Sequence, residues 1–178
     1  MQADKLALLG GPRSVAAAVP AYNSIGPEEI EAARAVVASG GLSLFFGSRG
    51  PNFLGGPQVR ALEAEWSRAF DVPFSVSVNS ATSGLIAAVG ACRVGQGDEV
   101  IVSPFTMSSS ASCVRVWGGT PVFADIDPET YNLDPQSIAR CLTPRTKAII
   151  AVDLAGQPAD FAAILGLAQA CGIRVIED

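Results

Sequence analysis

From Phe74 onward the chain switches repeatedly between two hydrophobic periods, and that alternation restricts its fold more than any other feature. Short apolar, β-branched runs read as strands at Phe74–Val78, Glu99–Val102, Pro121–Ala124, Lys147–Val152 and Ile173–Glu177. Between them, small apolar patterns predict helices over about Thr82–Arg93, Thr106–Trp117, Pro135–Leu142 and Ala159–Cys171. Gly95 and Gly97, Gly118-Gly119, Asp134-Pro135 and Gly172 punctuate the joins. Strands that alternate with helices form right-handed βαβ units, and strands this apolar need cover on both faces. The expected fold is α/β, a three-layer α/β/α arrangement around a mostly parallel sheet.

The chain before Phe74 is organised differently. Residues 1–26, broken by Gly10-Gly11-Pro12 and Pro20, predict an extended arm, which leaves residues 27–178 as the folded domain. Pro27 opens a helix at a favoured first position, with Glu28 and Glu29 at the positive end of its dipole. Ile30, Ala33 and Val37 form its apolar stripe, and Gly40-Gly41 end it. Leu42–Gly56 is rich in glycine and aromatics, and its Phe45 and Phe46 either pack against a partner subunit or tuck under the loop. Pro57 starts a second helix whose Val59, Leu62, Trp66 and Phe70 make a core-facing stripe.

Composition removes whole classes of function. The 178 residues are 49% hydrophobic and only 16% charged, enough to bury a sizeable core in one domain. A net charge of −5 with no Lys/Arg cluster argues against a nucleic-acid partner. The absence of histidine excludes Ser-His-Asp and Cys-His catalysis and every histidine metal site. Cys92, Cys113, Cys141 and Cys171 form no C-x-x-C and sit among apolar neighbours, so they read as reduced, buried thiols. Neither a signal region nor a run of membrane-spanning length occurs, which predicts a soluble, cytoplasmic protein with no membrane partner.

In an open α/β sheet, ligands bind at the carboxyl ends of the strands. Those ends carry Ser80-Ala81-Thr82, then Pro104 to Ser110, then Asp125 and Asp127, then Asp153, then Glu177-Asp178. The first is the most telling. In FSVSVNSATSGLIAAV, residues 74–89, a strand pattern runs through a polar turn into a helix. Such a turn presents free N–H groups at the positive end of a helix dipole, a ready anion site. Ala81 and Gly84 would let a phosphate approach the backbone, and Thr82 would add a hydroxyl. An ordinary capped β–α turn explains the same residues equally well. Neither a dinucleotide-binding glycine fingerprint nor a P-loop occurs. Asp125 and Asp127 read as turn-closing residues, and Asp178 either caps a following helix or belongs to a site.

Five collinear blocks add to this reading: SATSGL (80–85), GDEVIVSPFTM (97–107), PVFADIDPETYNLDP (121–135), TPRTKAIIAVDLAGQPAD (143–160) and VIED (175–178). Together with LALLGGP near the start, they make the chain resemble the DegT/DnrJ/EryC1/StrS sugar aminotransferases, within the fold type I pyridoxal-phosphate enzymes. The resemblance implies that the chain is part of the large domain of that fold, and that its cofactor is pyridoxal 5'-phosphate. It implies that the Ser80-Ala81-Thr82 turn holds the cofactor phosphate, and that Met107 covers the pyridine ring where the family usually has an aromatic side chain. It also implies that Asp178 pairs with the pyridinium nitrogen as the catalytic carboxylate and that Asp153 lies near the ring.

The family's Schiff-base lysine lies well downstream of the VIED block. Here the lysines are Lys5, in the arm, and Lys147, at the strand end opposite the site. The resemblance therefore implies the N-terminal part of a large domain, without the small C-terminal domain. The implied activity of the parent is transfer of an amino group from glutamate or glutamine to a keto sugar, nucleotide-linked, in a homodimer. Two alternatives stand beside it: a sugar dehydratase of the same family, and a non-catalytic, truncated phosphate-binding domain.

Overall fold

The computed structural model describes residues 5–12, 17, 21–42, 44–45 and 47–178. They fall into two compact units, Met1–Ser75 and Val76–Asp178.

In the first unit the described elements are a 3-10 turn at Ala7–Leu9 and two helices, α1 (Pro27–Ser39) and α2 (Pro57–Ala69). Both open on proline, whose missing N–H is not needed in a first turn. The Glu29 carboxylate accepts the Gly26 N–H at 2.7 Å, which also holds its pKa below the ordinary glutamate value. Neither helix fully buries a residue. The stripe expected to face a core on α2 is thus largely open: Leu62, Trp66 and Phe70 are 53%, 54% and 60% exposed. Among the described residues no layer lies over it, and the Trp66 and Phe70 rings meet each other instead, 4.5 Å between centroids. Phe45 is exposed beside Gly55, and Phe46 lies outside the described residues.

In the second unit the order is α3 (Ala81–Ala91), β1 (Glu99–Val102), α4 (Ser109–Val116), β2 (Thr120–Phe123), α5 (Pro135–Cys141), β3 (Thr146–Ala151), α6 (Phe161–Cys171) and β4 (Arg174–Glu177), with a 3-10 turn at Leu154–Gly156. The four strands form one sheet in the order β2-β1-β3-β4, every pair parallel. Alternate strand residues serve opposite layers. Val100, Val102, Ala148 and Ile150 pack with Leu85 and Val89 of α3 and with Cys113 and Val114 of α4. Ile101, Ile149 and Ala151 pack with Ile138 of α5 and with Ile164 and Ala168 of α6. This is the three-layer α/β/α arrangement that the alternation predicts.

One expected strand is missing. Phe74–Val78 belongs to no strand of the sheet, and Phe74 and Val76 are 87% and 80% exposed. Alternation makes a strand only where a neighbour meets its N–H and C=O groups, and neither edge strand, β2 or β4, pairs with this segment. The cysteine expectation also needs correction. All four are free, but only Cys113 is buried; Cys92 and Cys141 are half-buried, and Cys171 is exposed in the last turn of α6. Burial raises the thiol pKa of Cys92 and Cys113, which keeps them protonated. Among the described residues no helix is long and apolar enough to cross a membrane.

Candidate active site

From β1 the chain moves outward to β2, then returns to place β3 on the other side of β1. The strand order therefore reverses between β1 and β3, the place where open α/β sheets form a crevice at the strands' carboxyl ends. Helices α3 and α4 cover one face of this region.

The N-terminus of α3 is capped from within. Ser80 is extended, with its Oγ accepting the Ser83 N–H at 3.1 Å and donating to Ser83 Oγ at 3.1 Å. Its carbonyl accepts the Gly84 N–H. Among the described residues, no partner is found for the N–H groups of Ala81 and Thr82 or for the Thr82 hydroxyl. Three donors thus stand open at the positive end of α3, with no carboxylate bonded to any of them. Such a set can donate to an anion.

The second half of the site is built around Asp178. Its N–H donates to the Ala151 carbonyl at 2.8 Å, and its carbonyl accepts the Asp153 N–H at 2.9 Å. These two bonds continue the β3–β4 ladder past Glu177 and fix the Asp178 backbone. Ile176 packs on the α3/α4 side, and two residues further Asp178 turns to the same side, as strand alternation requires. There Ser110, only 1% exposed, donates its hydroxyl to Asp178 Oδ2 at 2.6 Å. Thr106 Oγ1 stands 3.2 Å from Ser110 Oγ. The Cys113 thiol is pushed up first by burial and then by the charge of Asp178.

The other expected site residues are distributed less simply. Met107, which precedes α4, is 76% exposed and lies among the lining residues of a hollow of about 400 Å³ with Arg115 and Phe123. That hollow takes in neither Thr82 nor Asp178, so it is not the crevice between the two donor groups. Asp153 is half-buried, and its Oδ1 accepts the Ala159 N–H at 2.8 Å. Ala159 belongs to the α5/α6 layer, so the Asp153 carboxylate ties down the 154–159 loop and is not brought to that of Asp178. Asp127 Oδ1 accepts the N–H groups of Glu129 and Thr130, and Asp125 Oδ1 that of Ile126, the turn-closing work expected of them. Lys147 lies near the start of β3, 4.0 Å from Asp98 and at the opposite end of the sheet.

At this end of the sheet the sequence reading listed Ser110 among the strand-end residues without assigning it a role, and it missed Asn132. Ser110 sits in a run of serines, but Ser110, Cys113 and Val114 are the buried residues of α4, at i, i+3 and i+4. A serine on the apolar stripe of a short helix is the signal that was available. Asn132 is 3% exposed; its Nδ2 donates to the Gln157 carbonyl and its Oδ1 accepts the Leu154 N–H, clamping two loops together. No periodic pattern marks it.

The donor set fits pyridoxal phosphate. An anion is met by the uncharged N–H and O–H groups of α3, and a cationic ring nitrogen would be met by a carboxylate already oriented by a buried hydroxyl.

Comparison with known proteins agrees. The sequence model of the DegT/DnrJ/EryC1/StrS aminotransferase family matches residues 47–178. The chain is 43% identical over 154 residues to the spore coat polysaccharide biosynthesis protein SpsC of Bacillus subtilis, covering 86% of this chain and 37% of the relative. It is 47% identical over 127 residues to a UDP-N-acetyl-3-dehydro-α-D-glucosamine 3-aminotransferase of Acidithiobacillus ferrooxidans, covering 71% and 34%. The structure superposes on an aminotransferase from Psychrobacter cryohalolentis with a TM-score of 0.80 at 36% identity, covering 89% of this chain and 38% of that one. It also matches Bacillus subtilis NtdA, solved with bound cofactor PMP, with a TM-score of 0.75 at 27% identity, covering 86% and 34%. The chain thus spans little more than a third of the length of these relatives. Matched over most of its length, it belongs to the DegT/DnrJ/EryC1/StrS aminotransferase family.

Proposed function

We propose that the protein of which this chain forms part is a pyridoxal-phosphate-dependent aminotransferase. It would transfer an amino group from glutamate or glutamine to a nucleotide-linked keto sugar, as a cytoplasmic homodimer. The observation that carries this reading is the pairing, in one unit, of the open α3 donors with the Ser110-held Asp178 carboxylate. The name of the Acidithiobacillus relative, a UDP-linked 3-dehydro sugar aminotransferase, supports the substrate class. When bound, the cofactor supplies an electron sink for the pair released as a proton leaves carbon.

The chain's own residues have separable tasks. The N–H groups of Ala81 and Thr82 and the Thr82 hydroxyl would bind the phosphate, while Ser80 keeps its oxygen for the Ser83 N–H and holds the turn in shape. Met107, exposed just before α4, would be the side chain to cover a ring face with its thioether. The Asp178 carboxylate would keep a proton on the ring nitrogen by its negative charge. Asp153 positions the 154–159 loop beside the site through Ala159. The lysine of covalent attachment would come from the remainder of the parent.

The test is made on the full-length parent. Supplied with pyridoxal phosphate, glutamate or glutamine and a UDP-linked 3-keto sugar, it is expected to form amino sugar and the matching 2-oxo acid in equal amounts. Sugar product that has lost water and gained no nitrogen would favour the dehydratase, and no turnover of either kind the non-catalytic reading. Thr82→Val should weaken cofactor retention by roughly tenfold or more, the worth of one hydrogen bond to a charged group. Unchanged affinity would return Thr82 to a plain helix position.

A further inference from the structure

Asp178 is polar, exposed and at the end of a strand, a position where a carboxylate ordinarily rotates freely. Here one of its oxygens is committed. Ser110 reaches it from α4 across 68 residues of sequence, at the 2.6 Å distance of a charge-assisted O–H···O bond. A serine hydroxyl has one proton to give. Because the carboxylate takes it, the 3.2 Å contact between Thr106 and Ser110 has a defined direction: Thr106 donates and Ser110 accepts. The polar relay runs Thr106 to Ser110 to Asp178. Ser110 itself is buried and cannot touch a substrate. Among the described residues, Asp178 Oδ1 has no partner.

We infer that Ser110 is a positioning residue for Asp178: its hydroxyl fixes the carboxylate rotamer and leaves the second oxygen for the cofactor ring nitrogen, with Thr106 orienting the hydroxyl in turn. This assignment rests on the aminotransferase reading above. A buried polar side chain on an apolar stripe costs stability unless its bond is made, and the bond it makes is to a carboxylate at the end of β4, on the side of the sheet that α3 and α4 cover. Ser110 therefore does for Asp178 what a structural carbonyl does for a metal-bound imidazole: it removes a rotational freedom from the group that does the chemistry.

The experiment compares Ser110→Ala, Ser110→Cys and Ser110→Thr in full-length holoenzyme, alone and combined with Asp178→Asn. Its first readout is independent of turnover: the ring-nitrogen NMR resonance of nitrogen-labelled bound cofactor, which reports protonation at that atom. Ser110→Ala should move the resonance part of the way toward its position in Asp178→Asn, Ser110→Cys less, and Ser110→Thr not at all. The half-reaction with amino donor should slow about tenfold in Ser110→Ala, the effect of one charge-assisted bond. In the Asp178→Asn background, Ser110→Ala should add nothing to either readout, since both act through one carboxylate. An unmoved resonance in Ser110→Ala, or an additive effect in the double variant, would overturn the positioning role. If instead Asp178→Asn alone leaves resonance and rate unchanged, the reading of Asp178 fails, and the role assigned to Ser110 fails with it.

Discussion

Glu99 shows how the sheet is closed at the end away from the site. It starts β1, is nearly buried, and receives the Thr143 hydroxyl on one oxygen and the Arg145 guanidinium on the other. The Thr143 bond first, then Arg145, holds its pKa below the ordinary glutamate value. A carboxyl with a depressed folded pKa contributes stability above its unfolded pKa and loses it as pH falls through the folded one. Urea midpoints of wild type and Glu99→Gln should therefore differ most at neutral pH and converge as pH drops below about 4.3, the unfolded glutamate value. A gap that stays constant with pH would show that the carboxylate's charge contributes nothing.

At the scale of elements, α3 and α4 are locked by a single crossing. The Trp117 indole N–H donates to the Ile86 carbonyl at 2.7 Å, and its ring packs closely against Gly90. A Cβ at Gly90 would come within 2.3 Å of that ring. Gly90→Ala gains roughly 1 kcal/mol of helix propensity, but overpacking costs about 1–3 kcal/mol. The ring must also leave Ile86. Net destabilisation with a red-shifted Trp117 emission is expected; a more stable variant with unchanged emission would contradict the contact.

How legible these elements were follows from what makes each one. Strands β1 to β4 and helices α3 to α6 were readable because residues such as Val100, Ile101 and Val102 form short continuous apolar runs between helical patterns, as burial on both faces requires. Phe74–Val78 carried a strand-like alternation without a partner strand, and pairing is not written in one segment. Thr82 was legible as a donor because a helix start announces itself locally. Asp178 was visible as a terminal acid, but Ser110 was not visible as its partner. Their bond joins residues far apart in the chain, and only the docking of β4 beside β3 creates it.

Across the whole molecule, burial is uneven. Among the described residues, the buried hydrophobic clusters fall in the second unit, one on either side of the sheet. In the first unit α1 and α2 display Ile30, Val37, Leu62, Trp66 and Phe70. Hydrogen exchange measured by mass spectrometry on this chain should find β1 and β3 amides protected and those of α1 and α2 exchanging early, because opening energies follow local burial. Protection of α2 equal to that of β1 would mean that its apolar stripe is covered in solution, the outcome a homodimer of the parent would produce. Proposing that dimer accounts for a stripe of the right period with no described layer above it.

The bond between Ser110 and Asp178 also sets an order of events. Contacts this distant in sequence form late, because the intervening loop must close before they return any energy. During synthesis α4 exists long before β4 does, and its buried hydroxyl has no carboxylate to serve. The open donors of α3 can take shape with that helix, but the Asp178 carboxylate is held only when β4 pairs with β3. A ligand that needs both the α3 donors and the Asp178 carboxylate would thus discriminate against every nascent form in which β4 is not yet paired with β3.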